Sequence, residues 1–253
     1  MLVSILISQY FRLETEKLQP DIQREKNSPK KLKVLDRFMK SLLFFLIFIV
    51  SSTWAQVTYV YNKDVEGRES KTTWTVALKG DDLHITGESL SGKTQIITTP
   101  ERVTKKFTHQ SGKNEYTIIR EGSKLKAQKN VNGQFSERQF NLGNDLWVQE
   151  FDFSFKPFIL SDYRDFKFSI IHPKNLDLHD MVATKQSFEK IDLHGVTREA
   201  IKVKVTLTGF KKMFWHADLW FDPQSGDLLK YMATEGPNTP LSVITLFSKQ
   251  IDH

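Results

Sequence analysis

The chain has 253 residues, with 36 Lys and Arg against 30 Asp and Glu, and it has no Cys. Without Cys there is no disulfide framework, no lipidated cysteine and no cysteine nucleophile. The first 55 residues hold nine of the basic and five of the acidic residues, which leaves 27 against 25 in residues 56–253. This near balance gives no case for a nucleic-acid-binding protein.

The first predicted element is an export signal. Residues 42–50 read LLFFLIFIV, nine apolar residues in a row, and they follow Lys40 and several other basic residues. The run is too short to cross a bilayer, which takes about 20 residues. A basic region followed by a short apolar run is typical of a secretory signal peptide.

The end of this signal is predicted between Ala55 and Gln56, because small residues precede that bond. We therefore predict a signal peptide over 39–55 and a periplasmic or secreted mature protein. Residues 1–38 are interpreted as an upstream extension from a start codon placed too early. An unusually long basic region and a retained membrane anchor are the alternatives.

Residues 87–94, GESLSGKT, match the phosphate-loop pattern G-x-x-x-x-G-K-[ST] at Gly87, Gly92, Lys93 and Thr94. Such a loop needs a helix directly after it, because the helix N-terminus helps to hold the phosphates. The β-branched residues 96–99 favour a strand instead, and Pro100 would interrupt a helix. We interpret the motif as a chance match and predict no nucleotide ligand.

Residues 56–253 are predicted to form one domain of antiparallel strands. Apolar and polar residues alternate in short runs, and turn sequences recur about every ten residues. The predicted turns are 79–82, 91–92, 111–114, 121–123 and 132–133. This pattern indicates a mainly β fold, a curved antiparallel meander of the half-barrel or open-barrel type.

The second half of the domain is predicted to have longer strands. Residues 201–208, IKVKVTLT, alternate strictly, so their apolar side chains should share one face. Residues 213–222, MFWHADLWFD, place bulky residues on both faces of the next strand. The sequence DPQSG at 222–226 predicts a tight turn, and a last strand is predicted over 241–247.

Between the two halves lies an aromatic segment, residues 146–160, LWVQEFDFSFKPFIL. Its spacing fits both a strand and a helix, and Pro157 predicts that any helix ends just before it. The segment is predicted to be either a plug that fills the open side of the sheet or a mobile flap over an apolar pocket. The candidate ligand-binding residues are Trp147, Phe151, Phe155, Phe158, Phe214, His216 and Trp220, the last three as the wall that the segment meets.

The hairpin WFDPQSGDLLK, residues 220–230, resembles the W-x-D-x-x-x-G-x-x-x-K/R strand–turn–strand of the lipoprotein-carrier (LolA/LolB-like) superfamily and of periplasmic families close to it. The resemblance implies a curved half-barrel that wraps helices and often encloses an apolar cavity. The chain departs from the carriers because it has no evident long amphipathic helix. Only the segment 146–160 is available to take that place.

Few residues are suited to catalysis. The sequence has no G-x-S-x-G or H-E-x-x-H motif, and its seven His are scattered. His216 and Asp218 share one face of a predicted strand and could supply two metal ligands. Asp152 and Asp218 lie among aromatic residues, as a glycosidase pair about 5–10 Å apart would. We predict no catalytic site, no metal and no cofactor.

These features favour a non-enzymatic protein that binds an apolar or amphiphilic ligand of the cell envelope, such as a lipid or a lipoprotein acyl chain. Two alternatives stay open at this point. One is a hydrolase of envelope glycans or lipids. The other is a structural or protein-interaction module that binds an envelope protein through an exposed sheet edge.

Overall fold

A computed structural model describes residues 56–209, 215–234 and 239–252. The predicted extension 1–38, the predicted signal peptide 39–55 and Phe214 lie outside these residues. The described residues form fourteen strands and two short helices.

The first half contains eight strands: β1 (Gln56–Val65), β2 (Arg68–Lys79), β3 (Asp82–Ser89), β4 (Gly92–Thr98), β5 (Thr104–Ser111), β6 (Asn114–Glu121), β7 (Lys124–Val131) and β8 (Gln134–Asn141). Two helices follow, α1 (Phe151–Ser154) and α2 (Lys156–Ile159). The second half contains six strands: β9 (Asp165–Ile171), β10 (Leu178–Leu193), β11 (Val196–Leu207), β12 (His216–Phe221), β13 (Leu228–Thr234) and β14 (Leu241–Asp252). Among the described residues, neither helix has the length and hydrophobicity needed to cross a membrane.

All fourteen strands belong to one antiparallel sheet. Except for β8 and β9, strands that follow one another in sequence are paired. β1 also pairs with β14, so the order runs from β8 through β1 to β14 and on to β9. The predicted turns fall between successive strands, which confirms the meander. The outermost strands, β8 and β9, do not pair with each other, so the predicted open, curved sheet is also confirmed.

Side-chain contacts show how strongly the sheet curves. The Tyr116 hydroxyl on β6 donates a hydrogen bond of 3.2 Å to the carbonyl oxygen of Ile171 at the end of β9. Arg138 on β8 forms an ion pair with Asp177 in the β9–β10 turn. The two ends of the sheet are therefore brought towards each other by side chains rather than by a strand ladder.

The concave face of the sheet carries the main core. Apolar side chains from strands of both halves are almost fully buried on it, among them Ile85, Ile118, Leu125, Val203 and Leu219. Alternation explains this face, because every second residue of a strand points to the same side. The prediction for residues 201–207 is confirmed at Ile201, Val203 and Val205, which are all buried there.

A smaller core lies on the convex face. The long β10–β11 hairpin extends beyond the residues that pair with β9 and β12. Leu193 and Ala200 on this extension pack with Trp220 and Leu229. The hairpin therefore folds across the outside of β12 and β13 and buries a patch that the concave core does not reach.

Candidate ligand-binding face

The aromatic segment, residues 146–160, covers the concave face. It is helical at Phe151–Ser154 and Lys156–Ile159, which decides between the two periodicities that its sequence allows. The first helix ends before Pro157, as predicted, but Pro157 then lies in the first turn of α2. Proline is tolerated there because the first N–H groups of a helix have no partner within it.

Four predicted ligand-binding residues of this segment lie together on the concave face. Trp147, Phe155 and Phe158 are almost fully buried, and Phe151 is half-buried. The Phe155 ring centroid lies 5.2 Å from that of Phe151 and 6.2 Å from that of Phe158. The rings of Phe151 and Phe158 therefore pack on that of Phe155, and Trp147 belongs to the same buried core.

The predicted wall of the site is different. Phe221, not Trp220, faces the aromatic segment, with its ring centroid 6.2 Å from that of Phe155. Trp220 lies on the convex face, where its indole donates to Glu189 at 2.8 Å, and His216 is exposed. The expectation that Trp220 and His216 meet the segment was wrong, because neighbouring residues of a strand point to opposite faces. The third wall residue, Phe214, is outside the described residues.

The segment is fastened at both ends by hydrogen bonds. At its start, the Ser169 N–H donates to the Leu146 carbonyl at 2.8 Å and the Val148 N–H donates to the Ser169 carbonyl at 3.0 Å. These bonds cover part of the free edge of β9. At its end, the Lys185 ammonium donates to the Ile159 carbonyl at 3.1 Å. The middle is held mainly by aromatic packing.

Two acidic side chains enter the interior with this segment. Burial raises the pKa of the Asp152 carboxyl to about 7, although N–H groups of the backbone partly oppose the shift. Burial and the nearby charge of Asp152 raise the pKa of Glu150 well above its usual range. Covering the concave face therefore brings two carboxyl groups into surroundings that disfavour their charged forms.

A polar cluster lies where α2 meets the β12–β13 turn, and we call Tyr59, Arg102, Lys156, Asp227 and Lys249 the Asp227 cluster. Asp227 is buried and accepts hydrogen bonds from Lys249 at 2.6 Å, from Tyr59 at 3.1 Å and from Lys156 at 3.3 Å. Burial alone would raise the pKa of Asp227. Hydrogen bonds from Lys249 and Ser225 and the charge of Lys156 outweigh burial and hold this pKa below its usual value.

Sequence reasoning missed this cluster, because its members come from five separate parts of the chain. The predicted turn 222–226 was the one available signal, since Asp227 follows it directly. Within the turn, the Ser225 hydroxyl donates to Asp227 at 2.8 Å and so orients the carboxylate.

The candidate carboxylate pair for glycosidase chemistry is not brought together. Asp152 lies near Tyr59 and Tyr61, which belong to the concave core, and its charge helps to raise the pKa of both hydroxyl groups. Asp218 lies on the opposite face of β12 from the concave-facing Ala217 and Leu219, and it pairs with Lys202 at 3.6 Å. In the described part of the chain, no group of three His, Cys, Asp or Glu side chains is placed to hold a metal ion.

The phosphate-loop-like residues 87–94 form a β-hairpin. Residues 92–98 are strand β4, which confirms the predicted strand after Thr94. Lys93 forms an exposed ion pair of 2.8 Å with Glu88 across the hairpin. A depression of about 280 Å³ adjoins this turn and the β1–β2 turn, at the opposite end of the strands from Asp227.

No protein-family model and no curated protein matches the chain. Among solved structures, a beta-barrel-like protein of domain of unknown function DUF1849 from Brucella abortus matches with a TM-score of 0.55 and 6% identity, over 79% of this chain and 98% of that one. The hypothetical lipoprotein YmcC from Escherichia coli matches with a TM-score of 0.35 and 11% identity, over 76% of this chain and 86% of that one. The LolA superfamily protein NE2245 from Nitrosomonas europaea matches with a TM-score of 0.24 and 10% identity, over 80% and 88%.

The likeness is one of fold. A putative outer membrane lipoprotein-sorting protein domain from Vibrio parahaemolyticus also matches, with a TM-score of 0.27 and 8% identity. At these TM-scores the likeness says nothing about a ligand or an activity. The DUF1849 structure supports the overall architecture, again without a function.

Proposed function

We propose that the protein is exported to the bacterial periplasm and binds an apolar or amphiphilic ligand of the cell envelope without catalysing a reaction. The ligand takes the concave face of the sheet, and the aromatic segment is a flap that moves to admit it. One observation carries this proposal: a large apolar face is covered by a short segment rather than by a second sheet or a long helix.

The energetics of the segment support a movable cover. Its two helices have four residues each, and helices this short are not stable by themselves. Their attachment depends on aromatic packing, which an apolar ligand can replace with contacts of the same kind. Burial of Glu150 and Asp152 opposes the covered state when these groups ionise. The cover is thus held by contacts that a ligand can exchange.

The first test is native mass spectrometry on the full chain, expressed in a bacterial host and purified from the envelope without detergent. We expect a bound species of lipid mass that is released on denaturation. A bare protein mass, unchanged after incubation with extracted envelope lipids, would contradict the proposal.

Movement of the segment has a separate test, because a chain without Cys accepts a single introduced thiol. Phe158→Cys places that thiol under the segment, where the native side chain is only 4% exposed. We expect its reaction with a maleimide to speed up when dodecyl phosphate is added. Leu229→Cys is the matched control, because Leu229 is only 2% exposed in the smaller core on the convex face, and its thiol should stay protected.

A protein-interaction role has one observation in its favour. Strand β8 pairs with β7 on one side only, and seven of its eight residues are exposed. Gln139→Pro removes an N–H on the free edge and should abolish binding of an added strand while leaving the β7 ladder intact. If envelope proteins recovered with the wild type are also recovered with Gln139→Pro, this candidate function is excluded.

A further inference from the structure

The Asp227 cluster holds more positive than negative charge. Lys156 and Lys249 both pair with Asp227, at 3.3 and 2.6 Å. Arg102 is the third cation; burial lowers the pKa of its guanidinium, and the negative charge of Asp227 opposes this effect. Even when Asp152 is ionised, three cations face two carboxylates, so the cluster attracts a further negative charge.

Arg102 is in an energetically unfavourable arrangement, in both its side chain and its backbone. Its Nη1 is buried and has no hydrogen-bond partner among the described residues. Its backbone has φ of 69°, in the left-handed region that non-glycine residues rarely adopt. A short loop fixes this conformation, with the Arg102 N–H donating to the Thr99 carbonyl at 2.9 Å. Other turn residues, such as Glu66 and His194, also have a positive φ, so the unpaired buried donor is the observation that points to a ligand here.

The cluster is accessible and adjoins the apolar face. The side chains of Lys156 and Lys249 are 30% and 31% exposed, so a ligand group can reach them from solvent. On the inner side, the Tyr59 ring centroid lies 5.7 Å from that of Phe153 in the aromatic segment. A molecule bound here would meet cationic donors at one end and aromatic rings at the other.

We propose that the Asp227 cluster binds the anionic head group, a phosphate or a carboxylate, of an amphiphile whose apolar chain lies on the concave face. Arg102 donates its unpaired Nη1 to the head group, and Lys156 and Lys249 share their charge between Asp227 and the ligand. This inference rests on the proposed function, because it names the chemical class of the ligand for the same face.

The test compares four probes by isothermal titration on the full chain: dodecyl phosphate, dodecanol, dodecyltrimethylammonium and inorganic phosphate. We expect dodecyl phosphate to bind at least about tenfold more tightly than dodecanol, because one charge-assisted hydrogen bond contributes about that much affinity. The cationic probe should bind more weakly than dodecanol. Inorganic phosphate should bind far more weakly than dodecyl phosphate, because it gains nothing from the apolar face.

Single substitutions test whether the phosphate group binds at the Asp227 cluster. Arg102→Gln should lose about tenfold in affinity for dodecyl phosphate and keep its affinity for dodecanol. Arg102→Lys, which retains the charge, should lose less, and it covers the case in which Arg102→Gln does not fold. Arg138→Gln is the matched control, because Arg138 is exposed and pairs with Asp177 at the other end of the strands.

The outcomes separate the two proposals. Equal binding of dodecyl phosphate and dodecanol would overturn the head-group site and leave the proposed function standing. Binding of none of the three amphiphiles would overturn the proposed function itself. Equal affinity for inorganic phosphate and dodecyl phosphate would show that the cluster binds free anions. It would then overturn the proposal that the ligand is an amphiphile.

Discussion

Gly87 lies directly against the indole ring of Trp74. A Cβ at this position would come within 2.6 Å of the ring. A Cβ on Gly92 would lie 2.2 Å from the Gln110 carbonyl oxygen, and φ there is 145°. Both glycines of the phosphate-loop-like motif are therefore required by close packing within the sheet. The match to the nucleotide pattern has a physical origin that involves no phosphate.

Replacing Gly87 with Ala tests this explanation. The added methyl group must displace the Trp74 ring, which is itself buried on the concave face. We expect a loss of about 1–3 kcal/mol in the free energy of unfolding, as is usual for overpacking. Urea denaturation followed by tryptophan fluorescence measures it. An unchanged midpoint would show that the indole moves without cost and that packing does not require glycine here.

Lys93→Ala is the complementary prediction for the same hairpin. Because the Lys93–Glu88 pair is exposed, its loss should change the free energy of unfolding by less than about 0.5 kcal/mol. Binding of ATP, measured by equilibrium dialysis, should be absent in both the wild type and the variant. If the wild type bound ATP and Lys93→Ala did not, the motif would be a nucleotide site after all.

At the scale of elements, the aromatic segment decides how the concave face is filled. Phe155 is fully buried, and its ring lies within 6.2 Å, centroid to centroid, of five other rings. Phe155→Ala should reduce the free energy of unfolding by about 3–5 kcal/mol. Phe188→Ala is the control, because Phe188 is 76% exposed and should cost less than about 0.5 kcal/mol. Similar losses in the two variants would mean that the segment contributes little to folding.

The strands could be predicted from the sequence because each hairpin carries its own local signals. Alternation in residues 201–207 and the turn sequence at 222–226 both describe single elements, and both are confirmed. The segment 146–160 was ambiguous, because its aromatic residues fit periods of both two and 3.6. Only contact with the sheet selects the helical form.

The candidate site was less predictable, because it depends on which face of the sheet is concave. Trp220 and Phe221 are adjacent, bulky and aromatic, and nothing in the sequence says which of them points inward. The curvature decides, and it brings distant strands into contact, as with Tyr116 and Ile171. Arg102 and Lys249 join Asp227 for the same reason, across separations that no local pattern records.

At the scale of the whole molecule, two sets of carboxyl groups respond to pH in opposite directions. The folded-state pKa of Asp227 lies below its unfolded value, so the stability that it contributes is lost as pH falls below about 4. Asp152 and Glu150 have folded-state pKa values above their unfolded values. Their contribution is present in acid and is lost as pH rises, because the unfolded chain then releases protons more readily than the folded one.

We therefore expect the free energy of unfolding to be greatest in mildly acidic solution and to fall between pH of about 4 and about 7, where Asp152 titrates. Asp152→Asn removes one titrating group, so it should make this slope shallower and raise stability at pH 8. Phe188→Ala, which removes an exposed side chain and no titrating group, should leave the slope unchanged. Urea midpoints measured from pH 4 to 8 for the three proteins give the comparison. If the wild type and Asp152→Asn have the same slope, the Asp152 carboxyl is hydrated in the folded protein. The segment would then lie less deeply on the concave face than its aromatic contacts indicate.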